Sequence, residues 1–125
     1  MPKVIHFEFP AENPERAAAF YDHVFKWKAQ KYGDMEYWLL TTGNEDEEGI
    51  DGAIAPKKDM ITDSVINTVS VLSLDDSIKK VREAGGELMT EKMEIPGIGH
   101  HIYCRDTEGN VFGILESIKD PKGGL

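Results

Sequence analysis

Residues 98–116 read IGHHIYCRDTEGNVFGILE, with two apolar-rich runs on either side of the polar cluster 106–110. Gly109 lies within that cluster, where a tight turn between strands needs a positive φ angle. The stretch therefore predicts a β-hairpin whose second strand occupies residues 111–115. A run in the first half of the chain, residues 50–55, matches that second strand. The match indicates a chain built from two related modules.

Length and charge restrict the classes of protein to which the chain can belong. Its 125 residues suffice for one compact domain, and 40% of them are hydrophobic, which is enough for a buried core. The 14 basic and 23 acidic residues give a formal net charge of −9. We expect neither nucleic acid nor an anionic membrane as a partner, because binding them requires clustered Lys and Arg. The acidic run 45–48 lacks the spacing of a calcium loop and is typical of a solvated loop tip.

Cysteine usage and hydropathy bear on the compartment. The one cysteine, Cys104, allows no internal disulfide and no cysteine-rich zinc site. Its place within an apolar run is typical of a small core residue. No apolar segment is long enough to span a membrane, and the first residues lack the apolar region of a signal peptide. A cytoplasmic protein is therefore expected.

The first half of the chain predicts a strand, a helix and three further strands. Residues 4–9 alternate between two strand faces, and the apolar face carries Phe7 and Phe9. Asn13 is placed to cap a helix over residues 14–25, with a proline at its first position. The strands that follow are predicted at 26–32, 35–42 and 50–55.

The same order begins again after a polar linker at 57–64. A strand at 65–72 leads into a helix at 73–84, which two glycines end. A strand at 87–93 and the hairpin complete this half. The tail at 120–125 contains Pro and Gly and is expected to be loosely held.

The element order predicts an α+β fold made of two β-α-β-β-β modules, at about 3–56 and 65–118, within a single domain of residues 1–125. A small curved sheet has one apolar face that needs cover, so we expect the modules to pair, within the chain or across a dimer. Pairing would form a curved mixed sheet around a groove, and small-molecule pockets commonly form in such grooves.

Four phrases occur along the chain in a particular order and spacing. They are the initial strand with His6, ERAAAFYDHVFKWKAQ at 15–30, DDSIKKVREAGGELMTEKMEIPGIG at 75–99 and RDTEGNVFGILE at 105–116. Together they resemble the vicinal oxygen chelate superfamily, the glyoxalase/bleomycin-resistance/dioxygenase group. The resemblance covers essentially the whole chain and implies that fold and a homodimer. It says less about the reaction, because the fold hosts several chemistries.

In metal-dependent members of that superfamily, such as glyoxalase I, the ligands lie on the first and last strands of each module. Carried over by motif, these positions are His6, Asn67, Gly52 and Gly113. Asp51 is one residue away from Gly52 and is expected to point to the opposite face of the strand from it. Only His6 is a good ligand, so the resemblance implies that the usual metal site is missing. Neither a cofactor nor glyoxalase I activity is therefore expected, and a divalent metal is kept as an alternative.

His6 and Glu8 are the candidate catalytic residues. They lie two positions apart on one strand face, where an imidazole beside a carboxylate could act as a general base and its orienting partner. The other interpretation is a histidine hydrogen-bonded within the sheet, with Glu8 at the solvent rim. The sequence leaves both interpretations open.

Candidate ligand-binding residues complete the predicted site. They are Trp38, Gly52, Asn67, His101, Tyr103 and Gly113. The two glycines could open space for a ligand, or mark bulges that curve the sheet. His101 and its neighbour His100 point to opposite faces of a strand and cannot chelate one ion. Whether Trp38 or its neighbour Tyr37 faces the groove stays open.

The preferred hypothesis is a metal-independent relative of the group that binds a small organic molecule in the groove. It leaves open whether the molecule is only sequestered or is turned over by His6 and Glu8. One alternative is a metal-dependent lyase or dioxygenase with His6 and Glu8 as unusual ligands. Another is an interaction or dimerisation module.

Overall fold

The computed structural model of the protein describes residues 2–118, which form two α-helices, nine β-strands and one 3₁₀ turn. In chain order the elements are β1 (Lys3–Ala11), α1 (Pro14–Phe25), β2 (Lys28–Lys31), β3 (Trp38–Thr41), β4 (Asp51–Pro56), the 3₁₀ turn (Lys57–Asp59), β5 (Ile66–Val71), α2 (Leu74–Glu83), β6 (Glu87–Leu88), β7 (Met93–Ile95), β8 (Gly99–Arg105) and β9 (Val111–Ser117). The predicted α+β class is confirmed. The tail predicted at 120–125 lies outside the described residues. No helix among those residues has both the length and the apolar character needed to cross a membrane.

Two compact units divide the chain. The first unit is residues 6–66, and the second unit is residues 67–118 together with 2–5. The strand order is β2-β3-β4-β1 in the first unit and β5-β9-β8-β6 in the second, where β7 also pairs with β8. β1 pairs with β4, and β5 with β9, in parallel, whereas the other pairs within each unit are antiparallel.

The helix α1 begins and ends at the residues that the sequence predicts. Asn13 Oδ1 accepts a hydrogen bond from the backbone N–H of Arg16 at 3.0 Å, and Pro14 occupies the first helical position. Lys26 ends the helix in the left-handed region with a φ of 63°, and its N–H donates to the carbonyl of Asp22. The predicted helix at 14–25 is confirmed.

One face of the first sheet packs on α1. The buried centre of this core is Ala18, Leu40 and Ile54, none of which is more than 8% exposed. Aromatic rings surround that centre, and Tyr21 stacks on both Phe9 and Trp27, with ring-centroid distances of 5.4 and 5.0 Å. The apolar stripe of α1 therefore stabilises one face of the sheet and leaves the other face for other side chains.

The helix α2 covers one face of the second sheet in the same way. The buried cluster there is Leu74, Ile78, Ile102, Cys104 and Ile114. Burial raises the pKa of the Cys104 thiol, and this residue is the small core residue that the sequence predicts. Ser73 caps the helix by accepting a hydrogen bond from the N–H of Asp76 at 3.2 Å. Glu116 Oε1 also accepts the N–H of Leu74 at 2.6 Å, so β9 holds the start of α2.

The predicted hairpin is confirmed as β8 and β9, which pair from Gly99 with Ser117 to Arg105 with Val111. The Asp106 carboxylate accepts the backbone N–H groups of Glu108 and Asn110 at 2.8 and 2.9 Å. Gly109 has a φ of +86°, as the turn requires.

The prediction of one continuous strand over residues 87–93 is wrong in its middle. β6 ends at Leu88 and β7 begins only at Met93. Between them, the side chain of Thr90 accepts the N–H of Tyr103 at 3.1 Å, so a side chain replaces a backbone partner and interrupts the strand. The strands predicted at 26–32 and 35–42 are also shorter in the structure, where they are Lys28–Lys31 and Trp38–Thr41.

Replacing Ile54 with Ala should lower the free energy of unfolding by about 2–5 kcal/mol, because the change removes buried methyl groups and leaves a cavity. Ile54 is 0% exposed, whereas Ile61 is 43% exposed. The same substitution at Ile61 should change the free energy of unfolding by less than about 0.5 kcal/mol. Urea denaturation followed by circular dichroism measures both variants, and equal losses would contradict this core assignment.

Candidate functional site

The face of the first sheet opposite α1 carries the candidate catalytic residues. Side chains alternate along a strand, and register partners in neighbouring strands share a face. His6 pairs in register with Asp51, and Glu8 pairs with Ala53. Phe7 lies between His6 and Glu8 on β1, and it packs on the side of α1. His6 and Glu8 therefore share the face that turns away from α1. Glu8 is only 5% exposed, which excludes a place at the solvent rim.

The His6 imidazole is held by a tyrosine. Its Nε2 lies 3.2 Å from the hydroxyl of Tyr37. Burial lowers the pKa of His6, and the nearby Asp51 carboxylate partly opposes this by raising it. The imidazole is therefore neutral at pH 7 and can accept a proton. Because the folded state resists protonation of His6, this group's contribution to stability is present above about pH 6.5 and is lost as the pH falls below that value.

Tyr37 is the site residue that the sequence prediction missed. Burial raises the pKa of its phenol, and the charges of Glu8 and Tyr32 raise it further. The phenol therefore stays protonated across the physiological range and can donate its proton in a hydrogen bond. Tyr37 immediately precedes β3. Alternation along the strand predicted at 35–42 places Tyr37 and Trp38 on opposite faces, but the sequence alone does not show which of them turns away from the helix.

Trp38 and Gly52 lie on the opposite face of this sheet, towards α1. Trp38 packs against the helix-side core, and its register partner is Ile54. A Cβ added at Gly52 would collide with the ring of Phe7, so the glycine makes room for a core aromatic side chain. This corrects the expectation that Trp38 and Gly52 share a pocket face with His6. The pairing of β1 with β4 advances one residue for one through Gly52, so this glycine marks no bulge either.

The donor set around His6 does not fit a divalent metal. Asp51, not Gly52, is the last-strand residue on the face of His6, which corrects the position carried over by motif. Its carboxylate accepts the N–H and the hydroxyl of Thr42 at 2.8 and 3.2 Å. Within residues 2–118, no group of three or more His, Cys, Asp or Glu side chains is arranged to hold a metal ion. His6, Glu8 and Asp51 share this face but form no such group, so the site falls short of the three or four protein ligands that a divalent metal generally needs.

The second unit has a buried polar face of its own. Thr68, Ser70 and His101 are between 3% and 7% exposed. Gly113 pairs in register with Thr68 on one side and with Tyr103 on the other, so these residues share the face opposite α2. A Cβ added at Gly113 would lie 2.6 Å from Nε2 of His101. Glycine at this position therefore makes room for the imidazole, whose ring meets that of Tyr103 edge-on with centroids 4.5 Å apart.

Asn67 does not join this polar face. It is exposed and pairs in register with Phe112, which packs against the core on the α2 side. Thr68 occupies the buried polar face instead, because a displacement of one residue in a strand moves a side chain to the other face. The pairing of β9 with both its neighbours advances one residue for one through Gly113, so this glycine also marks no bulge.

Comparisons with known proteins agree on one fold. The family model described as Glyoxalase/Bleomycin resistance protein/Dioxygenase superfamily matches residues 3–114. A superfamily member from Vibrio splendidus 12B01 is 15% identical to the chain, with a TM-score of 0.69 over 94% of this chain and 100% of that one. Methylmalonyl-CoA epimerase from Mycobacterium tuberculosis is 12% identical, with a TM-score of 0.67 over 97% of this chain and 91% of that one. No curated protein matches the sequence. At such identities the structural likeness shows the fold alone.

Replacing Asp51 with Asn should lower the pKa of His6 still further, because the carboxylate is the group that opposes the effect of burial. Titration of the His6 ring followed by nuclear magnetic resonance measures the shift. Asp63, an exposed aspartate of the same unit, supplies the control substitution Asp63→Asn, which should leave the titration unchanged. A rise in the pKa of His6 in Asp51→Asn would contradict the assigned electrostatics.

Replacing Gly113 with Ala should lower the free energy of unfolding by about 1–3 kcal/mol, because the new methyl group would force His101 out of its place. The penalty should shrink when His101 is also replaced with Ala. A double-mutant cycle by urea denaturation measures the coupling. Additive effects of the two substitutions would show that the imidazole is not what Gly113 accommodates.

Proposed function

The chain belongs to the glyoxalase/bleomycin resistance protein/dioxygenase superfamily, and we propose that it binds a small organic molecule on the polar sheet face that carries His6 and Glu8. The observation that carries the proposal is the 3.2 Å contact of His6 Nε2 with the Tyr37 hydroxyl, on a face where Glu8 is also buried. Burying several titratable groups together is costly for folding. Such groups with displaced pKa values are typical of functional sites.

Acid–base chemistry is the activity that these groups support. His6, neutral at pH 7 because burial lowers its pKa, would take a proton from the bound molecule. In the tautomer whose Nε2–H donates to the Tyr37 oxygen, Nδ1 is the basic nitrogen of His6. The Tyr37 hydroxyl, which stays protonated because its pKa is raised, would then donate its hydrogen bond to the oxygen on which negative charge develops. The charge of Asp51, which raises the pKa of His6, would stabilise the imidazolium that forms, and the buried Glu8 lies on the same face. The proposed reaction class is the removal and return of a proton next to a carbonyl group.

The fold relatives suggest where to look for the ligand. One of them is named as an epimerase of methylmalonyl-CoA. Acyl-CoA thioesters are therefore a reasonable first class to screen, since the carbon next to a thioester carbonyl can lose and regain a proton. Small carboxylic acids that carry a carbonyl group form the second class.

The proposal extends to the metal requirement, the oligomeric state, the location and further ligand-contacting residues. The shortage of metal ligands around His6 supports chemistry that needs no metal. The resemblance to the superfamily supports a homodimer, and the hydropathy of the sequence supports a cytoplasmic location. His101, Tyr103 and Gly113 are proposed to contact a ligand on the polar face of the second unit. Trp38, Gly52 and Asn67 lie on other faces and are not part of the proposed site.

A ligand of the His6 face should raise the free energy of unfolding by about 2.7 kcal/mol at a hundredfold excess over its dissociation constant. Differential scanning fluorimetry against acyl-CoA thioesters and carbonyl-bearing acids measures the effect. His6→Gln and Tyr37→Phe should lose most of the stabilisation. His23, an exposed histidine on α1, supplies the control His23→Gln, which should keep it.

Turnover of the ligand is measured separately from its binding. Deuterium uptake from D₂O at the carbon next to the carbonyl of a bound ligand should fall by about a hundredfold in His6→Gln. Uptake that survives replacement of both His6 and Glu8 would remove them from the mechanism. Stoichiometric metal in protein purified without chelator would contradict the metal-independent proposal.

A further inference from the structure

A cleft lies in the first unit, at the ends of two parallel strands. It has a volume of about 540 Å³, and its walls come from the end of β1, the first turns of α1 and Lys57, which follows β4. Ala11 pairs with Pro56 in parallel register, so the cleft lies beyond the carboxyl ends of β1 and β4. Its volume falls within the roughly 300–1,000 Å³ that small-molecule pockets commonly have. His6, Glu8 and Tyr37 do not line it.

The cleft carries positive charge in a chain whose formal net charge is −9. Arg16 and Lys57 line it, and within residues 2–118 neither side chain forms a salt bridge. Both are exposed, so they can turn towards a ligand. Glu12 is the one carboxylate in the lining, which leaves an excess of one positive charge.

An aromatic ring forms another part of the wall. Phe20 is 58% exposed, although it is a large apolar side chain. It meets Tyr21 edge-on at a centroid distance of 5.2 Å, and Tyr21 is fixed by stacking on Phe9 and Trp27. The exposed ring therefore stands on a rigid support, and a ligand ring that packs on it would remove apolar surface from water.

We propose that this cleft binds a small aromatic carboxylate, with its ring against Phe20 and its carboxylate between Arg16 and Lys57. The guanidinium of an arginine matches a carboxylate with two parallel hydrogen bonds, and the lysine adds a point charge. Glu12 repels a second negative charge, so a monoanion is favoured over the dianion of an aryl phosphate. The site is independent of the proposed function, because the two sites share no residue.

The probe for the experiment is 3-phenylpropionate, titrated into the ¹⁵N-labelled full chain and followed by two-dimensional ¹H–¹⁵N spectra. The amide signals of Arg16, Phe20 and Lys57 should shift and saturate together. The uncharged 3-phenylpropanamide should bind about fivefold to tenfold more weakly, because exposed charge pairs contribute modestly. Phenyl phosphate should also bind more weakly than the carboxylate.

Matched variants separate the cleft from the general surface. Replacing both Arg16 and Lys57 with Gln should raise the dissociation constant about tenfold, and Phe20→Ser should raise it about fivefold. Phe25 lies on the same helix, is 57% exposed and does not line the cleft, so Phe25→Ser is the control for Phe20. Lys58→Gln is the control for Lys57. All of these side chains are exposed, and unchanged spectra elsewhere will show that the variants fold.

Three affinity results would each overturn the proposal. They are the absence of saturation at about 10 mM probe, equal affinity for the acid and the amide, and equal effects of Phe20→Ser and Phe25→Ser. Shifts confined to residues around His6 would also overturn it, and they would leave the proposed function of the His6 face intact.

Discussion

The parallel pairing of the first and last strands in each unit is the constraint on which the rest of the structure depends. β1 lies beside β4, and β5 beside β9, so the chain must cross over one face of the sheet between them. That crossover contains the helix, whose apolar stripe packs on one face of the sheet. The register of the same pairs then decides which side chains share the remaining face. His6 meets Asp51 in the first unit, and Thr68 meets Gly113 in the second.

Desolvation on the polar face of the first unit produces the chemistry of the candidate site. Burial is the largest cause of both pKa shifts there, yet it acts in opposite directions because the charged form of a histidine is its protonated one and that of a tyrosine is its deprotonated one. The result is a neutral imidazole 3.2 Å from a protonated phenol. Burial therefore gives a base, His6, and a hydrogen-bond donor, Tyr37, at the same pH, without a strong ion pair.

Local sequence signals predicted the elements that depend on their own residues. The side chain of Asn13 caps α1 as expected, Ser73 caps α2, and Asp106 closes the hairpin turn. The prediction was wrong where a distant partner intervenes. Thr90 accepts the N–H of Tyr103, which lies in another strand, so the strand predicted at 87–93 is divided. Nothing within that segment itself signals the contact.

By itself, the sequence determined the helices, the hairpin, the α+β class, the superfamily and the pairing of His6 with Glu8 on one strand face. Only the tertiary structure decided which face of each strand turns away from the helix. Alternation has a period of two, so it separates Tyr37 from Trp38 without orienting either. The helix contacts and strand register supply that orientation. They place Gly52 beneath a core phenylalanine and Gly113 beneath a buried histidine, although the two glycines look equivalent in the sequence.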